Sequence, residues 1–219
     1  ASTMTVWLCR LAMHRVFEGI YDLPCCVSID SLAFGVVRHS NKPTTLPPHV
    51  DMSMSSCSDI LEKLMSQCHG DKFPYMVQSQ LCLVSQQDGP CFTVGRLLKN
   101  LPANKHKDFT PLPHYDGPLT HIHLEPGEAV LWRSSLVHSN FSGTATMAES
   151  PLGLTRLGVF VSATPKKYRN HTALEQKRKR AKEGLNTAHP AHFCVKDGGV
   201  GHMANPKDES CLLYTSDAA

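Results

Sequence analysis

The sequence predicts a mainly β protein, a sandwich or barrel with a few flanking helices. Short segments rich in Val, Ile, Phe and Thr recur from Cys25 onward, at 27–38, 48–53, 75–84, 91–95, 119–124, 128–133 and 156–163. Turn-forming residues stand between them, as at Gly89-Pro90 and Pro126-Gly127. Seven or so such runs separated by Gly and Pro are the pattern of a β-sandwich or barrel. Helical spacing is confined to the two ends and one interruption. With 219 residues, 41% hydrophobic and 19% charged, the chain is long and apolar enough to bury a core and is not a disordered composition. One domain is expected over 1–195, with its barrel core at about 25–165.

The elements follow in order. Residues 8–20 place Leu8, Leu11, Ala12, Val16 and Ile20 near helical spacing, so a helix burying those positions is expected. Ile60, Leu61, Leu64 and Met65 follow Ser58, a candidate N-cap, which predicts a short helix within 54–70. Residues 99–118 carry four prolines (102, 111, 113, 118) and predict a long surface loop, a kind usually found over a site. Thr172-Ala-Leu-Glu175 has the form of a capping box and Gly184 that of a stop, giving a basic helix over about 172–183. Residues 196–219 read as a loose tail. The last nine, from Cys211, resemble translated adapter sequence rather than native chain and carry no functional weight.

Several classes are excluded by simple counts. No apolar run reaches the roughly 18 residues that span a bilayer, so no membrane partner is expected. The start, Ala1-Ser-Thr-Met4, shows no secretory signal and reads as cut at its front. Nine cysteines in irregular spacing without a C-x-x-C pair argue against a disulfide scaffold and for a reducing, cytoplasmic setting. Charge is uneven. Between Lys166 and Lys182 lie eight basic residues against one acid, Glu175, whereas the rest of the chain is net acidic. Nucleic-acid binding would therefore rest on 166–182 alone, and that stretch lacks the interleaved aromatics on which bases stack.

The chemistry starts at Pro48-His49-Val50-Asp51. On an extended strand, side chains at i and i+2 share a face, roughly 6.6 Å apart, so an imidazole and a carboxylate there can hold one metal ion. A third ligand is offered by Glu125-Pro-Gly-Glu-Ala-Val-Leu-Trp-Arg-Ser-Ser-Leu-Val-His138, where a Pro-Gly turn launches an apolar strand and His138 is expected just past its end. Two histidines and one carboxylate with open positions form the facial triad of non-haem Fe(II) oxygenases. Arg156 then opens the strand Arg-Leu-Gly-Val-Phe-Val. Its planar fork suits the distal carboxylate of a dicarboxylic co-substrate, and Arg133 is the substitute for that role.

In this order of parts the sequence resembles the phytanoyl-CoA dioxygenase-like proteins, within the Fe(II)/2-oxoglutarate oxygenases. The resemblance covers about 10–195 and is most specific at 126–140 and at the later R-L-G-V-F-V, T-P, K-R-K-R and G-L-N-T-A-H-P segments. Gln86-Gln-Asp-Gly-Pro-Cys-Phe-Thr-Val94 also fits; the Gly95-Arg96-Leu97 that follows departs from the family pattern. It implies a double-stranded β-helix, a jelly-roll or cupin-like barrel. It implies that His49, Asp51 and His138 hold Fe(II), and that 2-oxoglutarate binds with its distal carboxylate on Arg156. Gln78, on a core strand, and Asn140, two residues after His138, are further candidates for co-substrate contacts. Molecular oxygen and a small organic substrate complete the reaction: oxidative decarboxylation to succinate and CO₂ with hydroxylation of a C–H bond. Two other readings stand beside it, a non-catalytic cupin-like metal-binding barrel and a nucleic-acid module centred on 166–182. His121 and His123 alternate on one strand without an acid on their face, so an ordinary half-buried strand is expected there. His189 and His192 are expected in a packed tail.

Overall fold

The computed structural model describes residues 4–27, 32–36, 46–51, 77–86, 91–98, 110–141, 154–166 and 171–182. The expected helix within 54–70 and the histidines 189 and 192 lie outside the described residues. The chain divides into two units, Leu32–Phe160 and a second made of Ala1–Ser31 with Val161–Ala219.

The unit Leu32–Phe160 holds two antiparallel sheets. In one, β2 (Leu32–Val36) pairs with the first half of β10 (Leu154–Pro165), and β4 (Val77–Val84) pairs with β8 (Ala129–Arg133) and neighbours β10. The other runs β6 (Thr110–Pro111), β3 (His49–Val50), β9 (Leu136–Phe141), β5 (Cys91–Leu97), β7 (Thr120–Ile122). Their inner faces meet through Phe92 of β5 and Trp132 of β8, ring centroids 4.5 Å apart. Pro111 lies on an edge strand, where a missing N–H costs no ladder bond. The expected Pro-Gly turn is present: the Glu128 N–H donates to the Glu125 carbonyl at 2.9 Å, and Gly127 has φ +92°. That is a type II turn, which needs a positive φ at its third residue.

Three sequence expectations are corrected here. His138 is not past the end of a strand: a Ser134-Ser135 turn ends β8, and His138 sits inside β9. The predicted strand at 27–38 divides into β1 (Cys25–Val27) and β2. The loop expected at 99–118 contributes β6, which pairs with β3 through Val50 and Thr110.

In the other unit, α1 (Met4–Tyr21) packs on β1, which pairs with residues 163–165 of β10. The His14 ring bonds the Cys25 carbonyl at 3.0 Å, and the Glu18 carboxylate accepts from the Cys25 N–H at 3.3 Å. The buried stripe of α1 is Val6, Arg10, Met13 and Phe17, not the expected one. Leu8 and Leu11 are 58% and 59% exposed. Both stripes repeat at helical spacing, so periodicity alone did not choose between them. The basic helix is α2 (His171–Lys182), one residue longer at its start than expected, so Thr172 lies in its first turn. Its Lys177 is buried, so the basic face is not wholly solvated. Among the described residues no helix is long and apolar enough to cross a membrane.

Candidate metal centre

The site lies on the inner faces of the two sheets. β3 and β9 pair with His49 directly opposite His138, and the Asp51 N–H donates to the Ser134 carbonyl at 3.1 Å, which holds the residue after β3 against the β8–β9 turn. The H-x-D spacing and the β3–β9 register thus bring three side chains together. Asp51 Oδ2 is 3.1 Å from His138 Nε2, and Asp51 Oδ1 is 3.7 Å from His49 Nε2. The two imidazoles stand 4.2 Å apart at 57°. All three residues are buried, at 3%, 6% and 4% exposure for His49, Asp51 and His138.

The ring orientations decide what this cluster can do. His49 Nδ1 is 2.7 Å from the Pro47 carbonyl and His138 Nδ1 is 2.9 Å from the Leu136 carbonyl. A carbonyl only accepts, so each Nδ1 carries the proton and each Nε2 presents a lone pair. Two imine lone pairs and a carboxylate then face one another within 4.8 Å. A cation placed between these atoms would meet all three donors at once, away from water. Two neutral nitrogens and one carboxylate oxygen suit a divalent transition metal with positions left open. Phe92 and Trp132 pack their rings 5.2 and 5.5 Å from the His138 ring.

Arg156 is the third residue of β10, 5% exposed. Its Nη1 donates to Asn140 Oδ1 at 2.7 Å and its Nη2 to Gln80 Oε1 at 2.5 Å. Burial lowers its pKa to about 10, which leaves it cationic at neutral pH; among the described residues the ionisable groups acting on it are the Cys91 and Cys82 thiols. Its Nε has no partner among the described residues. A guanidinium buried on two neutral amide oxygens with a donor to spare has the chemistry to accept an anion. Asn140 and His138 are two apart on β9 and so share its inner face, about 6.8 Å apart along the strand.

Of the sequence-predicted residues, His49, Asp51 and His138 form one cluster, and Asn140 touches Arg156. Gln78 does not: its Nε2 donates to Ser134 Oγ at 3.0 Å. Gln80, two residues on, was not anticipated. Its signal lies in pairing: Gln80 is fully buried, and a Cβ on Gly158 would stand 2.5 Å from Gln80 Nε2 and 3.0 Å from its Cγ. Gly158 is therefore the space into which Gln80 fits. Gly158→Ala should lower stability by about 1–3 kcal/mol, as overpacking does, read as a lower urea midpoint; an unchanged midpoint would show that Gln80 has room to move.

No family model matches the sequence, and no curated protein matches it. Among solved structures the chain resembles the epimerase SnoN in complex with Fe3+, alpha ketoglutarate and nogalamycin RO, with TM-score 0.51 and 13% identity over 90% of this chain and 68% of that one. The fold is a double-stranded β-helix. A second SnoN structure, described as a non-heme alpha ketoglutarate dependent epimerase, aligns at TM-score 0.47 and 15% identity over 91% of this chain and 65% of that one. AviO1 from Streptomyces viridochromogenes Tue57 aligns at TM-score 0.44 and 15% identity over 73% of this chain, which spans 60% of that protein's length.

Proposed function

We propose that the protein is a non-haem Fe(II)- and 2-oxoglutarate-dependent oxygenase of the phytanoyl-CoA dioxygenase-like kind, hydroxylating a small organic substrate. The observation that carries this reading is Arg156. The triad alone suits several divalent metals, but a buried guanidinium on the same lining as His138, bonded to two neutral amides and with no carboxylate partner among the described residues, favours a metal-chelating ligand with a distal carboxylate. A 2-oxo dicarboxylic acid is that ligand, and the neighbour SnoN is described with Fe3+ and alpha ketoglutarate together.

In this reading His49 Nε2, His138 Nε2 and the Asp51 carboxylate hold the metal. The chemistry supplied by bound Fe(II) and 2-oxoglutarate is oxidative decarboxylation to succinate and CO₂, coupled to oxidation of a substrate C–H bond by molecular oxygen. The chain's own residues bind and orient. Pro47 and Leu136 carbonyls fix the imidazole tautomers. Asn140 and Gln80 hold the Arg156 fork so that its remaining donors meet the distal carboxylate. Phe92 and Trp132 keep water from the His138 side of the centre, which strengthens charge interactions within it. The five described cysteines are all free, which fits a reducing compartment such as the cytoplasm.

The test is anaerobic titration with Fe(II) and 2-oxoglutarate, followed by admission of oxygen. A metal-to-ligand absorption band should appear only when both are present, and succinate should form on exposure to oxygen. Absence of the band overturns the reading. A band without succinate, also when ascorbate and a panel of small organic substrates are supplied, would make the protein a non-catalytic metal-binding barrel.

A further inference from the structure

We propose that Cys91, His121 and His123 form a second metal site, for a zinc-class divalent ion, on the outer face of the β5–β7 pair. This inference is independent of the oxygenase reading. The β5–β7 register sets Phe92 opposite Ile122 and Thr93 opposite His121, so extending it by one residue sets Cys91 opposite His123. Side chains alternate across a strand. Phe92 points inward to the His138 ring, so Cys91, His121 and His123 share the opposite face, away from His49, Asp51 and His138.

The three donors lie within 4.8 Å of one another. His123 Nδ1 sits 2.9 Å from the Gln86 carbonyl, which places the proton on Nδ1 and leaves Nε2 as a ligand atom. This is the same arrangement behind the ligand that the Pro47 and Leu136 carbonyls give the inner histidines. The His121 ring stacks on Phe141 at 4.5 Å and 25°, which limits its rotation. Cys91 is fully buried, and burial holds its thiol above the usual range. It is therefore a poor free nucleophile but a suitable soft ligand once a cation displaces its proton. Both histidines are exposed, so an ion can enter from solvent and keep a water in the fourth position. One sulfur and two imidazole nitrogens are a zinc donor set, with bonds of about 2.0–2.3 Å reached by small rotations of the exposed rings. The ion would fasten β7, an edge strand three residues long, to β5.

Cobalt(II) separates the two centres, because only this one offers sulfur. The metal-free full chain, reduced and under anaerobic conditions, is titrated with Co(II). A thiolate-to-cobalt band in the near ultraviolet should develop, and Asp51→Ala should retain it. Cys91→Ser should remove it. Because a buried Cys91→Ser protein can fail to fold, His121→Ala and His123→Ala, both at exposed positions, carry the same test and should each weaken cobalt binding at this centre at least about 10-fold. No thiolate band in the wild type overturns the proposal, as does an undiminished band in the two histidine variants, which would trace it to other cysteines.

Discussion

Asp51→Ala should abolish 2-oxoglutarate turnover and weaken metal binding by more than about 100-fold. Loss of a partner that merely supports a ligand costs about 10–100-fold, and Asp51 is proposed as a ligand itself. It is also the only charged member of the cluster, so the two remaining imidazoles have no anion to offset a divalent cation. The change should spare the sheets. The Asp51 backbone N–H, not its side chain, holds the Ser134 carbonyl, and that bond survives in alanine. Melting without metal should therefore shift little, because the desolvation cost of a buried carboxylate is removed along with its side-chain contacts. Metal titration by calorimetry, with melting of the same metal-free samples, checks both halves. Full metal affinity in Asp51→Ala would remove the triad from the account.

Arg156→Leu should weaken 2-oxoglutarate binding by roughly 10- to 150-fold, the equivalent of about 1.5–3 kcal/mol for a lost charge-assisted bond. Fe(II) binding in the absence of the co-substrate should be unchanged, because Arg156 contacts Asn140 and Gln80 rather than a proposed ligand. The substitution strands the buried Gln80 amide oxygen and the half-buried one of Asn140, so the fold itself should lose about 1–3 kcal/mol if the Gln80 oxygen finds no new partner. Arg156→Lys separates the effects. It keeps the charge but not the fork, so it should recover part of the binding and little of the amide bonding. Titration with 2-oxoglutarate at saturating Fe(II) reads the first effect and urea unfolding the second. An unweakened co-substrate in Arg156→Leu would move the role to another cation such as Arg133.

The site was more legible than its setting. His49 and Asp51 are readable because a strand's two-residue repeat puts them on one face. His138 is readable from the turn and apolar run ahead of it. Its place within β9 was hidden because the turn that ends β8 is Ser134-Ser135, with neither Gly nor Pro to mark it. Gln80 was hidden because its role depends on Arg156 and Gly158, more than seventy residues away, and no local pattern shows that a glycine is leaving room. The α1 helix misled for the opposite reason. Both of its faces repeat apolar residues, and the face that is buried carries Arg10, whose ring neighbour Trp7 lies 5.1 Å from its guanidinium carbon. His121 and His123 read as an ordinary strand because Cys91, thirty residues earlier, joins them only through the β5–β7 register.

The shortness of β3 has a thermodynamic consequence. Two residues of strand, His49 and Val50, carry one donor and lead directly into the next, and they are held by neighbours on either side, β6 and β9. If any fraction of molecules has this piece unzipped, those molecules offer the metal one imidazole instead of a complete set. Apparent affinity is then the intrinsic affinity scaled by the zipped fraction, so once the unzipped form predominates each further 1.4 kcal/mol lost from the ladder around Val50 weakens the apparent Kd about tenfold. The ion in turn acts as a rivet: at 100 times its Kd it returns about 2.7 kcal/mol to the folded state. Metal supply and the integrity of this one short ladder are, in that sense, a single variable.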